Sequence, residues 1–176
     1  MFRIVSIFAA ILLSCNSFAA STAQELYSTI NLRLSYMEDV ALYKNNNNKA
    51  IEDKERELIV IKSASLLAEK EGLDQESVIA FFSAQISVAK AIQYRYRADL
   101  LSKPTDQEPR NLDTVIRPAL IKLGKDINIE IARYLRDGGV FPQQEFQVFE
   151  RTVNSRYLTR ADKEMLFNAL TKIRLK

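Results

Sequence analysis

The chain of 176 residues contains no histidine and one cysteine, Cys15. That composition excludes Ser-His and Cys-His nucleophilic catalysis, histidine general-base chemistry, an intrachain disulfide and every common zinc site. With 25 basic against 22 acidic side chains, the formal net charge of +3 is too weak a bias to suggest a nucleic-acid surface.

In chain order, residues 1–20 read as a secretory signal peptide: Arg3 gives a positive start, residues 4–13 an apolar stretch, and Ser17-Phe18-Ala19 a small-x-small site, so cleavage is expected near Ala19/Ala20. The apolar run is too short to span a membrane, and no later stretch approaches the roughly 18 apolar residues that would. Stable membrane insertion is therefore not expected. Leu12-Leu13-Ser14-Cys15 loosely resembles a lipoprotein processing site, but Leu before Ser is a poor match, so a lipid anchor through Cys15 is the lesser expectation. Residues 21–176 then form one domain, exported to the periplasm or beyond, with a charge of +2 because Arg3 is the only charge removed. It would enter an oxidising compartment without a thiol.

The first helix is predicted over residues 22–44, opening on the capping-box pattern Thr22-Ala23-Gln24-Glu25 and stopping at the asparagine run 45–48. Leu26, Ile30, Arg33, Met37, Val40 and Lys44 follow at steps of four and three and share one buried seam. Two of the six are cations. Either they snorkel to the rim or they meet an anion, because a cation on a core-facing line is costly to bury unpartnered.

A second helix is capped by Asp53 and ends at Gly72, with Arg56, Val60, Ser63 and Leu67 on one face and Glu57 leading the line Ile61, Ala64, Ala68. Asp74 caps a third helix of about 25 residues, whose seam is Val78, Phe82, Gln85, Ala89, Ile92 and Tyr96 with Gln93 beside it. Within it, Tyr94-Arg95-Tyr96-Arg97 reads as a solvated face. A polar loop over residues 103–111 precedes a fourth helix with Leu120, Gly124, Ile127, Ile131 and Tyr134 on its seam. Pro118 places Arg117 at or beside that helix's N-terminus. Two short helices, about 143–154 and 160–173, finish the chain, the last behind Thr159-x-x-Asp162. Without strand-like alternation, repeats or a glycine-rich phosphate loop, the expected fold is all-α, a single-domain bundle of about six helices with the long ones first.

Four of these helices carry a polar or charged residue on or beside the interior line: Arg33 and Lys44, Arg56 and Glu57, Gln93, and Arg117. As a set they argue for a shared polar pocket. Arg33 and Lys44 stand eleven residues apart, about 16 Å along a helix, so their long side chains can lean toward one ligand between them. Three guanidiniums and an ammonium against Glu57 and Asp53 suit a small dianion, since Arg forks grip carboxylates at two points.

The pattern Arg33-Leu34, Asp39-Val40-Ala41, Tyr43-Lys44, then Ile51-Glu52-Asp53-x-x-Arg56-Glu57, resembles the signature of the all-helical chorismate mutases. The signal-like start, the stretch from Ala89 through Gln93 to Asp99, and the extra C-terminal helical portion resemble the secreted, periplasmic class of that family. The resemblance implies conversion of chorismate to prephenate, an intramolecular rearrangement with no covalent intermediate, no metal and no cofactor. It also implies a homodimer with each active site inside one chain.

Carried over by position, Arg33 and Arg117 would hold the two carboxylates, Lys44 would meet the ether oxygen and a carboxylate, and Gln93 would donate its amide hydrogen to the same oxygen. Arg56, Glu57 and Asp53 would line the pocket near the ring hydroxyl. One departure stands out: the hydroxyl that often lines such a pocket one turn before Gln93 is replaced by Ala89, leaving Lys90 or a backbone group to supply that contact. Two other readings remain open from the residues alone. One is a catalytically silent secreted helical protein that binds a small aromatic or dicarboxylic acid; the other is an envelope interaction module with its charges on rims.

Overall fold

The computed structural model describes residues 22–176; the signal peptide expected over 1–20, its cleavage near Ala19/Ala20 and Cys15 lie outside the described residues. The helices run α1 (Ala23–Ser35), α2 (Met37–Asn46), α3 (Lys54–Lys70), α4 (Gln75–Ser102), α5 (Arg117–Arg136), α6 (Phe146–Thr152) and α7 (Arg160–Leu170). A π-turn, Leu112–Ile116, leads into α5, and a 3₁₀ turn, Gln143–Glu145, into α6. The described chain is all-helical, its one bridge being Leu73 with Leu175. None of its helices is long and apolar enough to cross a membrane.

The predicted first helix is broken at Tyr36 into α1 and α2, which together with the other five make the six expected rods. Ser35 Oγ donates to the Leu32 carbonyl at 2.8 Å, a local bond that competes with the helical ladder. Tyr36 nevertheless keeps right-handed dihedrals, and Val40 N–H donates to its carbonyl at 3.1 Å, so the helical path resumes at once. Thr22 stands at the N-cap, yet its side chain makes no capping bond: Glu25 reaches across to Arg133 on α5 at 3.4 Å instead. The seam survives the break. Leu26, Ile30, Arg33, Met37 and Val40 are all buried and Lys44 is half-buried.

Elsewhere the local signals act as their chemistry requires. Asp53 Oδ1 accepts from Arg56 N–H at 3.1 Å, and Asp74 Oδ1 accepts from Ser77 N–H at 2.9 Å, each satisfying a donor that a helix start leaves free. Gly72, at φ +77°, turns α3 into α4 through a conformation that side chains strain to adopt. Thr159 and Asp162 form a full capping box on α7.

The stretch from Tyr94 to Arg97 is not a solvated face. Tyr96 is buried, Tyr94 bonds Glu52 on the neighbouring loop, Arg97 donates to the Lys49 carbonyl at 2.8 Å, and Arg95 is tied to Asp162 at 2.5 Å. The burial of Tyr96 follows the seam, but periodicity could not supply the partners of Tyr94, Arg95 and Arg97, because they come from other parts of the chain, with α2 and α7 packed against α4.

Candidate active site

Where α1, α2, α3, α4 and the start of α5 converge they leave a cavity of about 380 Å³. Arg33, Lys44, Asp53, Arg56, Glu57, Ala89, Gln93 and Arg117, the eight residues singled out from sequence, all line it. The rest of its wall is chiefly apolar, with Met37, Val40, Val60, Leu67, Phe82 and Leu120 among the contributors. Six cations face it against the two carboxylates of Asp53 and Glu57. Such an excess in a largely apolar cleft attracts anions strongly.

Arg33 is the deepest of the cations, 6% exposed on the seam of α1. Its Nη1 donates to Gln85 Oε1 at 3.5 Å, and its Nε finds no acceptor within the protein. No ion pair reaches it from any described residue. Burial pushes its guanidinium down to about 10, still protonated at neutral pH. Holding a buried cation with a single long bond costs on the order of several kcal/mol, which an arriving carboxylate would offset. Sequence periodicity put Gln85 on the α4 seam; the structure makes it Arg33's partner, a role that periodicity alone cannot distinguish from packing.

Lys44 enters from the last turn of α2 and donates to the Ile51 carbonyl at 2.5 Å. Burial lowers its pKa below the ordinary lysine value, with Asp53 and Glu57 pulling it back up and Arg97 pushing it further down. Its charge is therefore partly desolvated and aimed inward. Gln93, 5% exposed, donates through Nε2 to the Ala89 carbonyl at 3.1 Å and to Met37 Sδ at 3.7 Å, while its Oε1 has no partner within the protein.

On α3, Arg56 lines the cavity with no ion pair to a described residue, and Glu57 Oε2 accepts from Lys90 Nζ at 2.9 Å. Arg117 is the first residue of α5, where the π-turn capped by Asn111 delivers it to the cavity mouth. There its side chain, 37% exposed, pairs with Asp113 one turn earlier. Sequence reasoning placed Arg117 at the start of this helix but did not name its partner, although Asp113 precedes it by four residues, the ordinary helical spacing for an acid–base pair. It also left Ser63 and Lys125 out of the site; both line the cavity, and Lys125 follows Arg117 by eight residues on α5, a spacing that keeps two side chains on one face.

The arrangement can hold a compact anionic molecule, its apolar part against the apolar wall and its charge facing the cations, with the ammonium of Lys44 and the amide of Gln93 in the same cavity. Residues 21–94 match the family model described as chorismate mutase type II. The chain is 43% identical over 148 residues to a secreted chorismate mutase of Yersinia pestis, covering 84% of this chain and 79% of that protein. It is 34% identical over 178 residues to a monofunctional chorismate mutase of Enterobacter agglomerans, covering 98% of each. The crystal structure of the Yersinia pestis secreted chorismate mutase superposes with a TM-score of 0.80 at 41% identity, over 86% of this chain and 98% of that one. A chorismate mutase structure from Burkholderia thailandensis gives 0.67 at 26% identity, over 84% and 95%. The all-helical fold and these relatives agree: the chain belongs to the chorismate mutase family.

Proposed function

We propose that this protein is an exported chorismate mutase, converting chorismate to prephenate inside the cavity described above. In this reaction the ether carbon–oxygen bond breaks as a carbon–carbon bond forms within the same molecule, and negative charge gathers on the ether oxygen in the transition state. No proton need be exchanged and no covalent intermediate forms, so a site without histidine or cysteine suffices.

Arg33 and Arg117 hold the two carboxylates, Arg117 turning from Asp113 to do so. Lys44 and Gln93 donate to the ether oxygen, where fixed donors stabilise the transition state more than the ground state. Arg56, Glu57 and Asp53 line the end that receives the ring hydroxyl, and the apolar wall favours the compact conformer in which the reacting carbons meet. The observation that carries this reading is the buried guanidinium of Arg33, which lacks an ion pair with any described residue in a cavity shared with Lys44 and Gln93.

Residues 1–20 serve as a cleaved signal, residues 21–176 as the enzyme domain, and the mature protein works in the periplasm or outside the cell as a homodimer. Secretion of the Yersinia pestis relative supports export. Sequencing the amino terminus of the protein recovered from an expressing cell tests this: a start near Ala20 agrees with it, and a lipidated Cys15 contradicts it. Sedimentation of that protein tests the dimer.

The reaction itself is tested by the loss of chorismate absorbance with purified protein beside the spontaneous rate. Conversion to prephenate is expected. A folded protein that binds chorismate without converting it would instead support the silent binding protein, the reading favoured by the methyl of Ala89 in the cavity wall.

A further inference from the structure

The α4 wall of the cavity presents Ile86, Ala89, Lys90 and Gln93, all on one face of the helix. Lys90 is its one charged member. Its Nζ donates to Glu57 Oε2 at 2.9 Å, and the other oxygen, Glu57 Oε1, accepts from Asp53 N–H at 3.3 Å. Glu57 is thereby fixed at both oxygens, and Lys90 is fixed through Glu57. The two side chains are only 29% and 22% exposed. An ammonium carries three hydrogens, and among the described residues Glu57 is the one acceptor bonded to Lys90, so two hydrogens remain to be directed. An ion pair that only bridged two helices at the surface would contribute little and would gain nothing from facing an apolar cavity.

Resting on the reading above, we infer that Lys90 is a substrate-contacting residue: its ammonium, aimed by Glu57, donates to a carboxylate of the dianionic substrate along the stretch of wall where Ala89 offers only a methyl. The contact matches a cation to a group whose charge is unchanged during the rearrangement. It is therefore made about equally in the ground and transition states, and it acts on KM rather than on kcat. It also gives the site a preference for dianions over singly charged analogues of the same shape.

Steady-state loss of chorismate for wild type, Lys90→Met, and Lys90→Met combined with Ala89→Ser tests this. Lys90→Met is expected to raise KM by about tenfold or more, the range of a lost charge-assisted hydrogen bond, with kcat held within about threefold. Adding Ala89→Ser, a hydroxyl donor on the same wall, is expected to recover part of that rise; no recovery overturns the placement beside Ala89. An unmoved KM overturns the inference, as does a fall in kcat alone, which would make Lys90 a holder of Glu57. Should Lys90→Met fold poorly, Lys90→Gln keeps a donor to Glu57 while removing the charge, and the same comparison of KM applies. A wild type that leaves chorismate untouched overturns the functional reading beneath the inference; an active wild type whose KM survives Lys90→Met overturns the inference alone.

Discussion

Arg33 and Arg95 are both arginines whose guanidiniums point into the protein, and they are treated in opposite ways. Arg95, on α4, meets Asp162 through two nitrogens at 2.5 and 3.2 Å and the Tyr157 carbonyl at 2.7 Å, while Asp162 also caps α7. Arg33, more deeply buried, has one long bond to an amide and a nitrogen with no acceptor. A cation satisfied by the protein's own groups is part of the architecture, here fastening the C-terminal helix to the bundle. One left short of partners in a cavity is set for a ligand, and its desolvation cost is borne by the rest of the fold.

That contrast can be broken on the ligand side by Lys44. Lys44→Ala is expected to lower kcat/KM for chorismate by about 100- to 1,000-fold, the range for one preorganised donor, with helicity retained by circular dichroism. Preserved turnover would take Lys44 out of the chemistry. On the architectural side, Arg95→Met leaves the largely buried Asp162 with only its Thr159 capping partners and is expected to destabilise the fold by about 1–3 kcal/mol, read from denaturant unfolding, with kcat/KM of the folded protein within about threefold of wild type.

Titration sharpens the same contrast. The amide of Gln93 donates at any pH, and the guanidinium of Arg33, at about 10, carries its proton at neutrality, so neither group is expected to make kcat vary from about pH 5 to 8. Lys44 acts as a cation and burial lowers its pKa, so activity falls as pH rises through a value below that of ordinary lysine. In Gln93→Glu the carboxyl donates only when protonated. Its activity should be highest at acid pH and drop about tenfold per unit above the carboxyl's pKa, and an unchanged profile would remove Gln93 from the mechanism.

Much of this was legible before the structure. The four-three spacing from Leu26 to Lys44 and from Val78 to Tyr96 identified the buried faces, and the polar residues that interrupted those faces turned out to surround one cavity. Asp53, Gly72, Asp74 and the Thr159–Asp162 box marked helix ends because capping is settled within a few residues of sequence. What sequence could not supply was pairing. Whether Arg95 faces water or Asp162, and whether Gln85 packs or holds Arg33, depend on which helix lies opposite. The break at Tyr36 was hidden for another reason: it is confined to one residue that keeps right-handed dihedrals, so the hydrophobic repeat runs on undisturbed on either side of it.

The central claim, that Arg33 is kept for a ligand and not for the fold, is tested most directly by Arg33→Met, with thermal midpoint and chorismate turnover measured on the same preparation. The thermal midpoint should stay at or above that of wild type, because a methionine of similar reach relieves the desolvation of the guanidinium at the loss of one long bond. At the same time kcat/KM should fall at least about 100-fold. A midpoint that drops as far as that of Arg95→Met, with turnover preserved, would make Arg33 a second Arg95 and contradict the account.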